Sequence, residues 1–207
     1  MPLPVNYDDN VFINCPFDDT YDPIFYAIVF TVHDAGFGAR CAKEQSDSGE
    51  VRIVKIMRII GECRYGIHDI SYTELDPGVN LPRFNMPYEL GLFLGCQHFG
   101  KKHHQDKYCL VLDREKYRYE KFLSDIKGQD ISSHNGKPED AVKQIRKWLA
   151  TTSKHPRIPS SDKIWTRFQQ FDADLPILCQ ADNKNPSELT FPEYQDILTD
   201  WLIANPI

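Results

Sequence analysis

The chain has 207 residues, of which 41% are hydrophobic and 12% aromatic, enough for one ordinary domain with a core plus an extension. Its formal net charge of -6 gives no general attraction to nucleic acid or to anionic membranes, so neither is expected as a partner. No apolar run approaches the roughly 20 residues that a bilayer-spanning helix needs.

Strands and helices are predicted to alternate from residue 10 to residue 113. Apolar runs bounded by turn residues predict strands at 10–14, 38–42, 65–70 and 108–112, and helices at 23–35, 50–63 and 87–95. The first of these helices is expected to be capped by Thr20 or Asp22. In the second, the inward stripe is predicted as Val51, Val54, Met57 and Ile60, and the solvent stripe as Arg52, Lys55, Arg58 and Glu62. Repeated units of this length favour a parallel sheet with helices on both faces.

The pattern is looser after Asp113. We predict a helix at 117–126, a short fifth strand at 129–134 and a clear helix at 138–152. A linker at 155–161 precedes two helices, at 161–180 and 191–204. The predicted organisation is therefore an α/β domain over residues 1–155 and a helical extension over residues 156–207, packed on the domain as a hairpin.

The six cysteines and the amino-terminal residues bear on the compartment. No two cysteines form a C-x-x-C pair, and most lie in or beside apolar runs, as buried free thiols do. The run MPLPVNYDDN is acidic and lacks the basic and apolar regions of a signal peptide. We therefore expect a cytoplasmic protein without disulfides.

Residues 66–95 are the most informative stretch. A strand ends at Asp69-Ile70-Ser71, and after a loop a helix is predicted to start at Pro87, with Asn85 as its cap and Glu89 in its first turn. In open α/β sheets, ligands bind at the carboxyl ends of the strands, which is where these side chains are expected. The positive end of the helix dipole should lower the pKa of Glu89.

An ionised Glu89 suits attack on a sugar carbon, or stabilisation of a developing oxocarbenium ion. Asp69 would orient Glu89 or the sugar, and Ser71 and Asn85 would bind hydroxyl groups. The alternative is that Glu89 is an ordinary glutamate near a helix start, with no role beyond its favourable interaction with the dipole.

The loop after the first strand and two arginines supply further candidate ligand-binding residues. The loop has no glycine, which excludes a Walker or Rossmann phosphate loop. Asn14 is expected at the rim of the site, Asp18 could bind ribose hydroxyls, and Phe17 could either stack on a base or pack in the core. Arg40 and Arg83 could each clamp a phosphate, although a surface ion pair is the commoner role.

The histidines and cysteines show no spacing typical of a zinc site, and no metal is expected. His103 and His104 are adjacent and fall in a predicted loop. Alternation along the third strand places His68 on the face opposite Asp69.

The runs VFINCPFDDTYDPIF, GIHDIS, NMPYELGLFLG and YCLVLD resemble bacterial Toll/interleukin-receptor (TIR) domains and nucleoside 2-deoxyribosyltransferases. In the layout of the second family, Asp69 matches the aspartate at a strand end, Gly78 the glycine of the loop, and Glu89-Leu90-Gly91 the E-x-G of the helix. The resemblance covers about residues 10 to 113. It implies a flavodoxin-like doubly wound sheet and cleavage of an N-glycosidic bond, with Glu89 as the catalytic glutamate.

The same resemblance bears on ligands and partners. It implies NAD, a nucleotide or a nucleoside as substrate, acted on by a glycohydrolase, transferase or cyclase without a separate cofactor. Bacterial proteins of this kind are often anti-phage effectors, which makes a defence role an expectation here. The alternative is a non-catalytic module of the same fold that senses a nucleotide or self-assembles as a homo-oligomer.

Overall fold

A parallel sheet forms the centre of the molecule. The structure, a computed structural model, describes residues 6–44, 49–73, 75, 76, 78 and 80–207. The sheet consists of β1 (Asn10–Asn14), β2 (Gly38–Cys41), β3 (Tyr65–Asp69), β6 (Tyr108–Asp113) and β7 (Ser132–Ser133), while β4 (Leu75–Asp76) and β5 (Leu81–Pro82) form a separate antiparallel hairpin. The sheet order is β2-β1-β3-β6-β7 with every pair parallel, so the predicted flavodoxin-like fold class is confirmed.

The described residues form six α-helices, four of which cover the sheet. They are α1 (Asp22–Asp34), α2 (Arg52–Gly61), α3 (Asn85–Phe99), α4 (Pro138–Thr152), α5 (Ser161–Ala181) and α6 (Phe191–Ala204). One face packs against α1 and α4, and the other against α2 and α3. The strand order reverses at β1, so the crevice that this fold uses for ligands lies beyond the carboxyl ends of β1 and β3.

The helical pair α5–α6 packs on the outside of α1 and α4. Phe30 of α1 meets Phe168, Phe171 and Trp201 with ring centroids 5.5 to 6.0 Å apart. This covering explains why α1 is apolar on most sides, since it lies between the sheet and a second layer of helices. Arg167 Nε also donates to Asp34 Oδ1 at 3.0 Å, which fixes α5 to the end of α1.

The predicted inward face of α2 is wrong at three of its four residues, while Ile60 is buried as predicted. Val51, Val54 and Met57 are exposed, whereas Ile56, Ile59 and Ile60 form the buried face together with the stem of Lys55. Both stripes recur at helical spacing, and the isoleucine stripe buries more apolar area against β1 and α3. Periodicity alone could not choose between two stripes of the same period.

Four other segments also differ from the predictions. The segment predicted as a helix at 117–126 forms two short 3₁₀ turns, Arg118–Lys121 and Ser124–Ile126, and β7 is two residues long. Helix α3 begins at Asn85 rather than Pro87, so Asn85 is its first residue and not its cap. Asp22 is likewise the first residue of α1, and the carboxylate of Asp18 accepts the backbone N–H of Tyr21 instead. Within the described residues, no helix has the length and apolar character to cross a bilayer.

Candidate active site

A buried polar network occupies the carboxyl end of β3. Asp69 Oδ2 accepts a hydrogen bond from Tyr21 Oη at 2.7 Å and lies 2.9 Å from His134 Nε2, and Asp69 Oδ1 accepts the backbone N–H of Ser71 at 2.8 Å. Asp69 has no exposed surface, and Ser71 is only 2% exposed. A buried carboxylate must be paired and hydrogen-bonded, and these three partners satisfy that requirement. In this state Asp69 and Ser71 belong to the interior rather than to an open cleft.

Serine, histidine and aspartate meet in this network but do not form a catalytic triad. Ser71 Oγ and Asp69 Oδ2 both lie 2.9 Å from the same nitrogen of His134, Nε2. The other nitrogen, Nδ1, accepts the backbone N–H of Gly136 at 3.1 Å, so the ring carries its proton on Nε2. A triad needs the serine on one ring nitrogen and the carboxylate on the other. His134 therefore cannot take a proton from Ser71 while Asp69 supports it.

A cation from another loop holds the chain that follows β3. Arg118 donates to the carbonyls of Ile70 and Ser71 at 3.0 and 2.7 Å, and its guanidinium pairs with Asp113 Oδ1 at 2.7 Å. Asp113 ends β6, next to β3, so Arg118 ties the ends of two neighbouring strands together. The position of Ser71 is thus set by the backbone as well as by His134.

Glu89 stands in a different environment. It is 5% exposed on α3, and within the described part of the chain its carboxylate forms no hydrogen bond or ion pair. Burial raises the pKa of Glu89 to about 7, and the more distant charge of Arg52 offsets this only in part. The lowered pKa expected from the sequence is therefore wrong. Because α3 starts at Asn85, Glu89 lies in the second turn, where the dipole is weak and desolvation dominates.

The charges of Asp69 and Glu89 both act on the thiol of Cys15. Cys15 follows β1 directly, and burial, then Asp69, raise the pKa of its thiol well above the usual value, with a smaller contribution from Glu89. Lys43, which acts in the opposite direction, is too weak to reverse the shift. The thiol is consequently neutral and only 3% exposed, which makes it a wall of the site rather than a nucleophile.

Asn14 links the end of β1 to α3. Its Nδ2 donates to the carbonyl of Met86 at 2.9 Å and lies 3.0 Å from His68 Nδ1. His68 contacts the rings of Phe12 and Phe93, on the face opposite Asp69, as the alternation along β3 predicts. Asn14 is 3% exposed and holds the first turn of α3, which directly precedes the turn that carries Glu89.

The loop after β1 forms the more open side of the site. Asp18 accepts from Thr20 Oγ1 at 2.6 Å and pairs with Arg83 at 3.3 Å across the entrance to α3. Phe17 is partly buried, with its ring edge-on to Phe25 at a centroid distance of 5.4 Å. The structure thus places Phe17 in the packing and Asp18 in a turn, although both still border the carboxyl edge.

Arg40 and Asn85 lie apart from the buried network. The guanidinium of Arg40 donates to Glu44 at 2.6 and 2.7 Å and to Glu62 at 2.8 Å, so carboxylates of the chain itself occupy it. Asn85 is exposed at the start of α3. Of the nine residues singled out from the sequence, Glu89 is the one that combines burial with a polar group that has no partner within the described ranges.

Tyr21, His134 and Arg118 belong to this region but are not among the site residues predicted from the sequence. His134 follows a two-residue strand that no propensity marks strongly, and Tyr21 reads as one more aromatic residue before a helix. A usable signal was present in the order of the chain, since polar residues after the last strand must join the same edge as those after β3. No group of three or more metal-ligating side chains occurs among the described residues.

No protein-family model matches the sequence, and no curated protein is significantly similar to it.

Proposed function

We propose that the protein is an enzyme that breaks an N-glycosidic bond in a nucleoside, a nucleotide or NAD, with Glu89 as its acid–base residue. The observation that carries the proposal is a carboxyl group with a pKa of about 7 at the carboxyl edge of a doubly wound sheet, with no hydrogen-bond or ion-pair partner among the residues that the structure describes. Perturbed carboxyl groups of this kind concentrate at active sites, because catalysis needs a pKa matched to the working pH. The resemblance to TIR domains and deoxyribosyltransferases supports the same reaction class.

Glu89 would take both protonation states during one turnover. As the bond from the sugar to the base breaks, its electron pair moves to the base nitrogen, which takes the proton of the Glu89 carboxylic acid. The resulting carboxylate stabilises the oxocarbenium ion and accepts a proton from the water whose oxygen bonds to the sugar carbon. Glu89 returns to the acid form, and the sum of the steps is hydrolysis. If a second base took the place of the water, its ring nitrogen would bond to the sugar carbon and the reaction would be transfer.

The charge of the leaving base determines which protonation state of Glu89 assists the reaction. A purine leaves as an anion unless it is protonated, so it gains from the carboxylic acid. Nicotinamide leaves NAD as a neutral molecule, so only the carboxylate form contributes there. Because the pKa of Glu89 is about 7, the turnover rates should change in opposite directions between about pH 6 and pH 8. The rate for purine substrates should fall as the pH rises, and the rate for NAD should increase.

The test is incubation of the purified protein with NAD, NADP, nucleoside triphosphates and deoxynucleosides, followed by chromatography of the released base. Glu89→Gln keeps the shape of the side chain and removes its proton chemistry, so turnover should fall by about 10²–10⁴-fold. Glu188→Gln, at an exposed position far along the chain, is the matched control. Equal release of base by wild type and Glu89→Gln would reject the proposal.

One observation favours a second function. Asp69 and Ser71 are closed within the buried network, so of the two carboxylates predicted to be catalytic only Glu89 has no hydrogen-bond partner among the described residues. A cytoplasmic module that senses a nucleotide or assembles with copies of itself would need no second catalytic group. Such a module would release no base from any substrate and would still bind a ligand with Glu89→Gln in place.

A further inference from the structure

A groove lies between α5 and α6 on the side of the hairpin away from the proposed active site. Its volume is about 490 Å³, and its floor is formed by apolar side chains: Ile177, Leu178, Ala181, Ile197, Trp201 and Ala204. Ile177 is 68% exposed, whereas Ile197 and Trp201 are buried beneath the surface. The sides of the groove are two antiparallel helices, so its shape matches a third helix laid along them.

Aspartates surround this apolar floor. Asp174 and Asp182 border it from the α5 side, and Asp196 and Asp200, four residues apart, border it from α6. Among the described residues that line the groove, the one basic side chain is Lys184, which already lies 3.9 Å from Asp182 and from Glu193. Asp196 and Asp200 form no ion pair within the described part of the chain. The rim is therefore strongly negative and largely uncompensated.

We propose that this groove binds a basic amphipathic helix of a partner protein. An amphipathic helix places apolar side chains at i, i+3, i+4 and i+7 on one face, which would fill the floor between Ile177 and Trp201. Lysines or arginines beside that face would meet Asp196 and Asp200 on one side and Asp174 on the other. Charge complementarity of this kind selects the partner and its orientation.

The charges argue against a second copy of this chain as the occupant. Two copies joined through this groove would bring two acidic rims together, and the chain already carries a net charge of -6. Juxtaposed like charges oppose association. The occupant that the groove fits is thus one of opposite charge.

The test uses the full-length protein and a synthetic Leu/Lys peptide designed as an amphipathic helix, measured by calorimetry at low and high salt. Two comparison peptides are needed: a scrambled sequence of the same composition, and a helix with glutamate in place of lysine. The Leu/Lys helix should bind saturably with one site, and both comparison peptides should bind at least about tenfold more weakly.

Variants locate the binding. The double variant D196K/D200K reverses the rim of α6 and should weaken binding of the Leu/Lys helix about tenfold or more. Its control is D106K/D125K, which makes the same change in net charge at exposed positions of the sheet domain. Ile177→Ser removes apolar surface without disturbing the core, because the side chain is mostly exposed, and should weaken binding about tenfold.

The possible results separate clearly. Loss of binding in D196K/D200K and in Ile177→Ser, with retention in D106K/D125K, supports the proposal. Equal binding to all variants, or equal binding of the scrambled peptide, overturns it as nonspecific attraction to an acidic protein. A dimer in light scattering that dissociates on Ile177→Ser would also overturn it, since the occupant would then be a second copy.

Discussion

His134 and Asp69 meet at 2.9 Å between Nε2 and Oδ2, although Asp69 ends β3 and His134 follows β7. The backbone N–H of Gly136 fixes the proton of the ring on Nε2, so the imidazole donates toward the carboxylate. Tyr21 is the second donor to Asp69 Oδ2, and the two side chains together cover the carboxyl end of β3. This arrangement makes Asp69 a residue whose first role is to hold the loops of the site together.

The first prediction follows from the hydrogen bonds of Asp69. In Asp69→Asn, the amide NH₂ would face the donors of Tyr21 and His134 or the N–H of Ser71, so a buried donor loses its acceptor in either orientation. We expect a loss of about 2–3 kcal/mol in the free energy of unfolding, measured with urea. Asp125→Asn, at an exposed position, should stay within about 0.5 kcal/mol of wild type. An Asp69→Asn protein as stable as the control would show that the network is not structural.

The second prediction concerns the stability cost of Glu89. Burial raises the pKa of Glu89 in the folded protein to about 7, above the ordinary value of 4.5. Ionisation of Glu89 therefore costs more in the folded protein than in the unfolded chain, and the folded protein is more stable at a pH where Glu89 keeps its proton. This contribution is fully present below pH 4.5 and is lost as the pH rises through 7. Glu89→Gln, which cannot ionise, should therefore be more stable than wild type at pH 8 by roughly 1–2 kcal/mol, after discounting for residual solvent contact.

At pH 4, Glu89→Gln and wild type should be nearly equal in stability, and denaturant titrations at pH 4, 6 and 8 give the comparison. The same series on Glu188→Gln should show no trend, because that side chain is exposed. If the difference between Glu89→Gln and wild type were the same at pH 4 and pH 8, the carboxylate could not be desolvated as described. A stabilising substitution that abolishes activity is the usual signature of a functional site.

The sequence was sufficient for the fold because the strands and helices have strong and different periods. β1, β3 and β6 are short apolar runs between polar turns, and their alternation with helices dictates a parallel sheet. The same alternation predicts that Glu89 lies at the carboxyl edge of the sheet. The sequence could not give the pKa of Glu89, since that depends on how deeply α2, α3 and β1 bury the carboxyl group. Nor could it give the inward face of α2, where two apolar stripes compete.

The third prediction uses His68, a buried imidazole on the opposite face of β3. Burial, and then the charge of Lys107, lower the pKa of His68 to about 3, from an ordinary value of 6.5. The stability that depends on the neutral ring is complete above pH 6.5 and is lost as the pH falls toward 3. In His68→Asn, an amide oxygen near the place of Nδ1 can still accept from Asn14, while the titrating ring is gone.

His68→Asn should therefore be less stable than wild type at pH 8, by about 1–3 kcal/mol for the lost packing, but should lose less stability between pH 6.5 and pH 4. Urea midpoints at half-unit intervals of pH measure that slope. His98→Asn, at an exposed position, is the control and should follow wild type throughout. A wild-type slope in His68→Asn would assign the acid sensitivity to other groups.

The last prediction concerns the helical pair at the end of the chain. Its buried apolar side chains include the following five, each of which contributes roughly 1.5–3 kcal/mol: Phe168, Phe171, Ile197, Leu198 and Trp201. Their sum, about 8–15 kcal/mol, matches the whole stability of an ordinary domain. Phe30 of α1 would also lose its partners and face water.

A chain that ends at Ser153 should therefore be insoluble, or compact without fixed packing, with helical far-ultraviolet dichroism but no cooperative melting transition. The matched full-length variant is Arg167→Ala, which leaves Asp34 buried without its cation and should lower stability by about 3 kcal/mol while folding is retained. A soluble fragment of residues 1–153 that melts cooperatively would contradict this prediction. In that case α1 would have to be stable with one face in water, and α5–α6 would be an independent unit.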